Sequence, residues 1–428
     1  MRHSNDILVR AGWSRRDFLA GAATAAAVTP LLGAADTSSV AKMQRLLKID
    51  PKFSGKGQTY DVGVMVPLTG PGAIYGSHGT DIFKLAARDI LALGGPTLNM
   101  IYKDNKSGDP QAGVQAMREL GAAKVPMMLS SYVADLGAAL PGIKEYKIFT
   151  VDGTGGTQLF AQNKPYFWGA IATSPNDAFP GALKYVAAKL PQVKKIGFVG
   201  WDLGPLSDLV MKNMQKELAS TGYTQVVDER TKVGATDYSA TIQKVKAGNP
   251  DIIFLSIYTE DVGYFLKQYA TSGINKPVLG FTHSQAAAKI AGAAYEGLYF
   301  AFDYFDAERP PNPFAQYFVD SFKGMEGILP EYYPANFYED SFILWECIRR
   351  VLQKGGNPKD GDQLEAALRS NPTFPSVYGG DSGKPGVLAF DLDTHSVKKR
   401  PMMVSQYKAG KVTPLAFYDI HGADFRLA

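Results

Sequence analysis

Short apolar segments alternate with amphipathic segments along the chain from residue 60 onward, which is the pattern of strands followed by helices. Residues 81–93 predict a helix, because their apolar residues recur on one helical face and two glycines follow. Another helix is predicted from Asp109, a natural N-cap, and Pro110, which suits a first helical turn. The strands predicted in this half are 60–66, 98–102, 125–129 and 147–151.

A second series of the same kind begins after about residue 173. Its predicted strands are 196–200, 225–229, 251–257, 277–280 and 297–302, and its predicted helices are 206–220, 238–246 and 262–271. Apolar strands that alternate with helices indicate parallel sheets covered on both faces, so the two series predict an α/β protein with two lobes. In open α/β sheets ligands bind beyond the carboxyl ends of the strands, and we therefore expect the site there.

The composition is that of a globular protein and excludes several classes of function. The 428 residues are 45% hydrophobic and 20% charged, a length that suggests about two or three domains. The net charge of +4 comes without a basic block, which argues against nucleic acid as a partner. The single cysteine, Cys347, excludes a disulfide framework, and the helical spacing around it indicates a buried core thiol.

Sequence motifs for catalysis and cofactor binding are absent. The chain has no P-loop, no dinucleotide-binding fingerprint and no nucleophile elbow, and its five histidines show no ligand-pair spacing. Gly153–Gly156 follows a predicted strand, but a turn explains it at least as well as a phosphate site. We therefore expect no cofactor and no metal.

The N-terminus has the pattern of an export signal. Arg15 and Arg16 precede Asp17-Phe18-Leu19 and an Ala-rich apolar stretch that is too short to span a bilayer. The arrangement resembles a twin-arginine signal and predicts export of the folded protein to the periplasm, with cleavage before Asp36 and membrane tethering if the signal stays uncleaved. An ordinary N-terminal anchor is the alternative. Residues 1–35 form the predicted signal, and residues 36–57 a linker with a short surface helix over 40–47.

Aromatic, hydroxyl and glycine residues follow the predicted strands in both halves of the chain. Aromatic walls with a few hydroxyl and backbone N–H groups are typical of a small-molecule cleft. Taken singly, each residue has another interpretation, such as a turn aromatic, a helix cap or simple packing. The candidate ligand-binding residues are Tyr75, Ser130, Ser131, Tyr132, Gly153, Thr154, Trp201, Tyr258, Phe281 and His283.

In their order and in their residues, these segments resemble the solute-binding proteins of branched-chain-amino-acid ABC importers, the leucine/isoleucine/valine-binding family. The resemblance covers about residues 58–420. The segments that carry it are Val64–Gly76, Lys103–Ala112, Met128–Ser131, Phe149–Thr154, Asp251–Tyr258 and Gly297–Phe300. It implies a type I periplasmic binding protein fold, with two Rossmann-like lobes and three crossovers near Thr173, Asp303 and Asp391. Lobe 1 would comprise residues 58–172 and 304–390, and lobe 2 residues 173–303 and 391–428.

The resemblance also implies roles for the candidate residues of lobe 1. Tyr75 falls where an aromatic residue caps the ligand. The remaining lobe 1 positions fall where hydroxyl and backbone groups meet the ligand carboxylate, namely Ser130, Ser131, Tyr132 and Thr154.

In lobe 2 the chain departs from the family pattern. Tyr258 matches a pocket tyrosine, and Trp201 lies near another. Amino-acid binders of the family place an acid after the strand at 278–280 to hold the ligand ammonium, whereas this chain has Phe281-Thr282-His283. A buried ammonium without a counter-charge is costly. Either Asp152 or Asp202 substitutes, or the ligand is an aromatic carboxylate, an amide or a urea-like compound.

We hypothesise that His283 replaces the acid as a neutral or cationic hydrogen-bond partner, the alternative being a surface or capping histidine. The function expected is that of a monomeric, non-enzymatic receptor that closes around a small solute and delivers it to the permease of an ABC importer. A sensory receptor of the same fold that feeds a signalling partner and a twin-arginine-exported enzyme are the alternatives.

Overall fold

The computed structural model describes residues 37–428 except residues 71, 108, 132–137, 154–163 and 172–174. The predicted signal, residues 1–35, lies outside the described residues. The strands are β1 Thr59–Val66, β2 Thr97–Asp104, β3 Met127–Ser130, β4 Phe149–Asp152, β5 Phe167–Gly169, β6 Lys195–Trp201, β7 Thr224–Thr231, β8 Ile252–Ser256, β9 Val278–Gly280, β10 Tyr299–Asp303, β11 Thr373–Asp381, β12 Lys384–Ala389, β13 Pro401–Lys408, β14 Lys411–Asp419 and β15 Ala423–Leu427.

The helices agree with the predicted ones in position, although most begin or end a few residues away. Asp109 caps the second predicted helix as expected, accepting bonds from the backbone N–H groups of Gln111 and Ala112. The helices are α1 Thr37–Leu46, α2 Ala73–Ala92, α3 Pro110–Ala122, α4 Leu140–Tyr146, α5 Phe179–Lys189, α6 Pro205–Ala219, α7 Ser239–Gly248, α8 Glu260–Tyr269, α9 Gln285–Ala291, α10 Pro313–Glu326, α11 Tyr332–Gln353 and α12 Gly361–Ser370.

The strands form two large sheets and a hairpin within the described residues. The first sheet is five-stranded and parallel, in the order β2-β1-β3-β4-β5. The second is eight-stranded, in the order β15-β14-β13-β10-β9-β8-β6-β7, and β11 pairs with β12 alone. Strands β6 to β10 are parallel, whereas β13 to β15 join antiparallel. The predicted α/β fold with parallel central sheets is confirmed.

We call the part built on the first sheet lobe 1 and the part built on the second sheet lobe 2. Helices α2, α3, α11 and α12 pack against the first sheet, and α5, α6 and α7 against the second. Strand residues such as Val62, Leu129 and Phe254 are fully buried. Because both faces of each sheet are covered, the parallel strands are strongly apolar. This apolar sequence made them the easiest elements to predict.

The chain passes between the lobes three times. The connections are residues 170–178 after β5, residues 304–312 after β10, and residues 390–400 after β12. Of the predicted crossover positions, Asp303 is the last residue of β10, and Asp391 lies just after β12. Thr173 lies outside the described residues.

The segment predicted as a linker, residues 36–57, packs against the core. Helix α1 covers most of its first half, and Met43 and Leu47 are buried in the core. The segment is held further by Trp345, whose Nε1 donates to the Ser54 carbonyl at 2.9 Å. The predicted short helix is therefore present, and its apolar residues form a buried stripe on the face toward the core.

Two other expectations concern the core and the membrane. Cys347 is fully buried in α11, and burial raises the pKa of its thiol far above the usual range, which confirms the interpretation of a core thiol. Within the part of the chain that the structure describes, no helix combines the length and apolar character needed to cross a membrane.

Candidate functional site

The carboxyl ends of β3 and β4 in lobe 1 form a hydrogen-bonded unit. Ser130 and Asp152 are paired in the parallel register, and Ser130 Oγ donates to Asp152 Oδ2 at 2.7 Å. The Gly153 N–H then donates to the Ser130 carbonyl at 3.0 Å. Because both side chains are fully buried, this bond fixes the two strand ends relative to each other.

Ser131 follows β3 and is also fully buried. Its backbone N–H donates to the Met65 carbonyl at 3.1 Å, which continues the pairing of β3 with β1. Its hydroxyl has no hydrogen-bond partner among the described residues. A buried hydroxyl without a partner is uncommon and marks a position where a ligand or a water molecule can bind.

Gly153 lies directly under helix α11. A Cβ atom at this position would come within 2.3 Å of Asp340 Oδ2 and 2.6 Å of the Phe337 ring, so a larger residue does not fit. Asp340 is almost fully buried, and neither of its carboxyl oxygens has a hydrogen-bond partner within the described parts of the chain. Burial, with the nearby Asp152 carboxylate, raises the pKa of Asp340 well above its usual value. The sequence analysis did not single out Asp340.

In lobe 2, Trp201 ends β6 and forms an aromatic wall with Tyr258. The two rings meet edge to face, with their centroids 5.1 Å apart. Trp201 Nε1 donates to Asp261 Oδ2 at 2.8 Å, and the same carboxylate oxygen accepts from the Gly234 N–H. Tyr258 is half-buried, and its hydroxyl lies 3.2 Å from Ser256 Oγ. The indole is therefore held at a fixed angle.

Phe281 lies in the core and not on the cleft as predicted. Its side chain is fully buried and stacks on Phe254, with Phe179 on another side. Strand β9 ends at Gly280. The next residue, Phe281, packs its ring against Phe179 of helix α5. An apolar residue next to a short buried strand more often extends the core than lines a cleft.

His283 lies in a cage of aromatic rings. Its Nδ1 is 3.1 Å from the Tyr295 hydroxyl, and its ring stacks on Phe300 at 5.3 Å and on Tyr407 at 5.7 Å. Burial lowers the pKa of His283 to about 4, so the imidazole is neutral at pH 7. The cationic form of the hypothesis is thus disfavoured, and so is the alternative of a surface histidine.

The two acids that were expected to replace the missing one differ in their surroundings. Asp152 is buried and bonded to Ser130, as described above. Asp202 is exposed at the end of β6, where its Oδ1 accepts from the Gly204 N–H at 3.0 Å and stabilises the turn into α6.

Three predicted site positions fall wholly or partly outside the described part of the molecule. The backbone of Tyr75 belongs to the first turn of α2, but its side chain lies outside the described part of the molecule. Tyr132 and Thr154 lie in segments outside the described residues.

A cavity of about 160 Å³ lies between α2 of lobe 1, α9 of lobe 2 and the segment that joins α10 to α11. His78 Nδ1 is hydrogen-bonded to the Tyr333 hydroxyl, and the two rings are stacked at 5.6 Å. Glu331 Oε1 accepts from the Gln285 N–H at 3.2 Å. The polar side chains in the lining are those of His78, Asp81, Ser284, Gln285, Glu326, Glu331 and Tyr333.

The sequence analysis missed Glu331 and Tyr333 because the beginning of α11 is distant in sequence from the strand ends that it approaches. The Tyr332 hydroxyl lies 3.0 Å from Thr282 Oγ1, so this helix reaches the same strand end as His283. The Tyr332-Tyr333 pair at the beginning of a long helix was the available signal. Among the described residues no group of three or more histidine, cysteine or acidic side chains is arranged to hold a metal ion.

Comparison with known proteins identifies the family. The family model described as "Periplasmic binding protein" matches residues 59–411. The chain belongs to the periplasmic binding protein family. Among its relatives is the Leu/Ile/Val-binding protein homolog 1 of Brucella melitensis, which is 23% identical over 347 residues, covering 77% of this chain and 89% of the relative.

Two solved structures show how this periplasmic binding protein is folded. The leucine binding protein LivK from Thermotoga maritima superposes with a TM-score of 0.72 at 19% identity, covering 84% of this chain and 98% of that one. A solute binding protein of an ABC transporter from R. palustris, solved in complex with benzoate, gives a TM-score of 0.72 at 17% identity, covering 86% and 98%. The predicted type I periplasmic binding protein fold is confirmed.

Proposed function

We propose that this periplasmic binding protein is an exported, non-enzymatic receptor of an ABC importer. It captures a small polar or aromatic solute between its lobes and delivers it to a membrane permease. The observation that carries the proposal is the position of the candidate residues at the carboxyl ends of parallel strands in two lobes that three chain segments connect. That is where open α/β sheets bind ligands, and hinge closure is the motion that such connections allow.

The ligand contacts proposed in lobe 1 are polar. Ser131 offers a buried hydroxyl group that has no partner among the described residues, and Gly153, which packs under α11, is the candidate backbone contact. Ser130, Tyr132 and Thr154 complete this side, with Tyr75 as the aromatic cap. A carboxylate or amide end of the solute fits such a set of hydroxyl and backbone groups.

The contacts proposed in lobe 2 are aromatic and uncharged. Trp201 and Tyr258 supply a rigid wall, and His283 supplies a neutral imidazole. We do not propose Phe281 as a ligand contact, because its side chain belongs to the core. Uncharged contacts in lobe 2 favour an aromatic carboxylate, an amide or a urea-like solute. An α-amino acid remains compatible if Asp152 or the exposed Asp202 holds its ammonium.

A thermal-shift screen of the protein, purified from the periplasmic fraction, tests this function. The panel contains leucine and related amino acids, benzoate and hydroxybenzoates, simple amides and urea. A ligand present at about 100 times its dissociation constant stabilises the folded state by about 2.7 kcal/mol, which is a clear rise in melting temperature. A shift with aromatic acids or amides alone supports the uncharged lobe 2 surface. A shift with leucine places the ammonium contact at Asp152 or Asp202, and no shift with any solute contradicts the proposal.

The same preparation tests export. Recovery of the protein in the periplasmic fraction, and its retention in the cytoplasm after an Arg15→Lys, Arg16→Lys double substitution, is expected for a twin-arginine signal. Unchanged export of the double variant would contradict the signal.

A further inference from the structure

A buried arginine lies where the connections between the lobes meet. Arg400 is the last residue of the third connection, directly before β13, and its side chain is 1% exposed. Its Nη2 lies 3.4 Å from Glu339 Oε1, and its Nε lies 3.7 Å from Asp303 Oδ2. Glu339 belongs to α11 of lobe 1, whereas Asp303 ends β10 of lobe 2. One guanidinium group therefore contacts a carboxylate from each lobe.

The same guanidinium group also contacts the first connection. Arg400 Nη2 donates a hydrogen bond to the carbonyl of Ala170, the residue that follows β5. Asp303 is the residue from which the second connection departs. All three connections thus have a contact with Arg400, through its own backbone, through Ala170 and through Asp303.

The side chains around Arg400 fix its position from lobe 1. The guanidinium carbon lies 4.2 Å from the centroid of the Tyr378 ring, and Tyr378 donates to the Asn336 amide oxygen at 3.0 Å. Glu339 Oε2 accepts from Ser376 Oγ at 2.7 Å and from the Val377 N–H at 2.9 Å. The lobe 1 partners are therefore tightly held. Asp303 Oδ2 also accepts from Asn336 Nδ2 of α11 at 3.4 Å, and Asp303 is the partner that a rotation of the lobes would move relative to lobe 1.

The distances from Arg400 to Asp303 and Glu339 are long enough for the two carboxylates to move closer to the guanidinium group. Both exceed the 2.7–3.2 Å of an ordinary N–H···O bond, and Nε and Nη1 of Arg400 have no hydrogen-bond partner among the described residues. Buried charges interact strongly, and their energy depends steeply on geometry. A rotation that moves Asp303 closer to Nε or away from it changes the free energy of the whole arrangement.

A short series of hydrogen bonds connects Arg400 with the candidate ligand site. Ser130 Oγ donates to Asp152 Oδ2, the Ala170 N–H donates to the Asp152 carbonyl at 2.8 Å, and the Ala170 carbonyl accepts from Arg400. Asp152, at the end of β4, is thus bonded directly to Ala170, the first residue of the first connection.

We propose that Arg400 is the positioning residue of the hinge, which sets the equilibrium between the open and closed arrangements of the two lobes through its contacts with Asp303, Glu339 and Ala170. The inference rests on the proposed function, since it concerns the closure by which the solute is captured. A positioning role predicts that changes at Arg400 alter the populations of the lobe arrangements, beyond any effect on stability.

The experiment measures the distance between the lobes in the ligand-free protein. Spin labels are attached through Lys144→Cys on α4 of lobe 1 and Lys216→Cys on α6 of lobe 2, both exposed positions, while Cys347 is buried and stays unlabelled. Pulsed electron paramagnetic resonance then gives the distance distribution. Arg400→Lys keeps the charge but loses the planar fork, and Asp303→Asn removes one partner with little change of shape.

Arg350 provides a matched control. It is a buried arginine with an ion pair to Glu346 at 2.9 Å, bonds to two backbone carbonyls, and a Phe374 ring at 4.3 Å, and all of these partners lie in lobe 1. Arg350→Lys is expected to lower the melting temperature and to leave the distance distribution unchanged. Arg400→Lys is expected to change the population of the main distance peak by roughly twofold or more.

Distributions that are identical in the wild type, Arg400→Lys and Asp303→Asn would overturn the inference. If Arg400→Lys does not fold, the Asp303→Asn distribution decides alone. Because no ligand is used, this result is independent of the solute screen: a protein that binds no solute contradicts the proposed function, whereas an unmoved distribution in a protein that binds a solute contradicts only the role of Arg400.

Discussion

The two lobes present different chemistry at equivalent strand ends. In lobe 1 the ends of β3 and β4 offer small polar groups, and Ser130, Asp152 and Gly153 hold one another through hydrogen bonds. In lobe 2 the ends of β6, β8 and β9 offer rings, with Trp201 packed edge-on against Tyr258 and His283 caged by aromatic residues. In the cleft that we propose, the same fold position would supply orientation on one side and contact area on the other.

The difference also appears in what each lobe tolerates. The polar groups of lobe 1 depend on a close approach between strand and helix, where one added methyl group would collide. The rings of lobe 2 depend on individual polar contacts of the Trp201 indole and the His283 imidazole. Substitutions in lobe 1 should thus act mainly through shape, and substitutions in lobe 2 through single hydrogen bonds and protonation.

The largest effect is expected for Gly153→Val in lobe 1. The new Cβ would lie 2.3 Å from Asp340 Oδ2, so β4 and α11 must separate, and we expect a loss of about 3 kcal/mol or more in unfolding free energy. Chemical denaturation measures it. Gly324→Ala is the control, because that exposed helical glycine has no atom within 4 Å of its Cβ position, and there we expect no loss or a small gain. Equal effects at both positions would contradict the argument from shape.

The second effect concerns protonation in lobe 2. The pKa of His283 is about 4 in the folded protein against an ordinary value of 6.5, so the unfolded chain binds a proton more readily. The neutral imidazole contributes its full share of stability above pH 6.5, and this share is lost as the pH falls from 6.5 towards 4. The total is at most roughly 3 kcal/mol.

Unfolding free energies measured between pH 4 and pH 7 for the wild type and His283→Gln test this point. The stability of the wild type relative to the variant should increase with pH across this interval and stay constant above it. Parallel curves would show that His283 titrates normally and is not caged.

A smaller effect is expected for Trp201→Phe. The substitution keeps the aromatic contact with Tyr258 but removes the Nε1–H that donates to the buried Asp261 carboxylate. Loss of one donor to a buried acceptor costs about 1–3 kcal/mol. The Asp261 carboxylate keeps the Gly234 N–H as a donor, which limits the cost. Tyr258→Phe is the comparison, because its hydroxyl bond at 3.2 Å to a half-buried serine is weaker, and its loss should be the smaller of the two.

The parts of the fold that the sequence predicted are those whose local pattern and buried position agree. β8 and the second half of β1 are almost entirely apolar, and both strands were predicted within one or two residues. Strands β13 to β15 were missed, since they join the sheet antiparallel, and β14 and β15 are partly exposed, which dilutes the apolar pattern. The docking of α1 and the segment after it was missed because Arg349, which donates to the Leu47 carbonyl, and Trp345, which donates to the Ser54 carbonyl, are about 300 residues away in sequence.

The candidate site residues divide in the same way, into those that the local strand pattern indicated and those that it did not. Residues at or after strand ends could be found from strand positions alone, which is why Ser130, Gly153 and Trp201 were predicted as site candidates. Asp340 and Tyr333 reach the strand ends and the inter-lobe cavity from a helix, and Phe281 turns into the core, so only the packing of the folded chain distinguishes them. Periodicity indicates which elements form, but not which side chains of a distant helix meet a strand end.

The smallest expected effect distinguishes two neighbouring serines in lobe 1. Ser130→Ala removes the donor to Asp152 Oδ2 and should cost about 1–2 kcal/mol in the ligand-free protein. Ser131→Ala removes a buried hydroxyl without a partner among the described residues and should leave stability unchanged or raise it by up to about 1 kcal/mol. If the Ser131 hydroxyl binds the solute, the Ser131→Ala variant also loses affinity for the solute. Titration with any solute found in the screen measures this loss. A Ser131→Ala protein that is destabilised as much as Ser130→Ala would mean that its hydroxyl has a structural partner, and the polar contact of lobe 1 would then have to be assigned elsewhere.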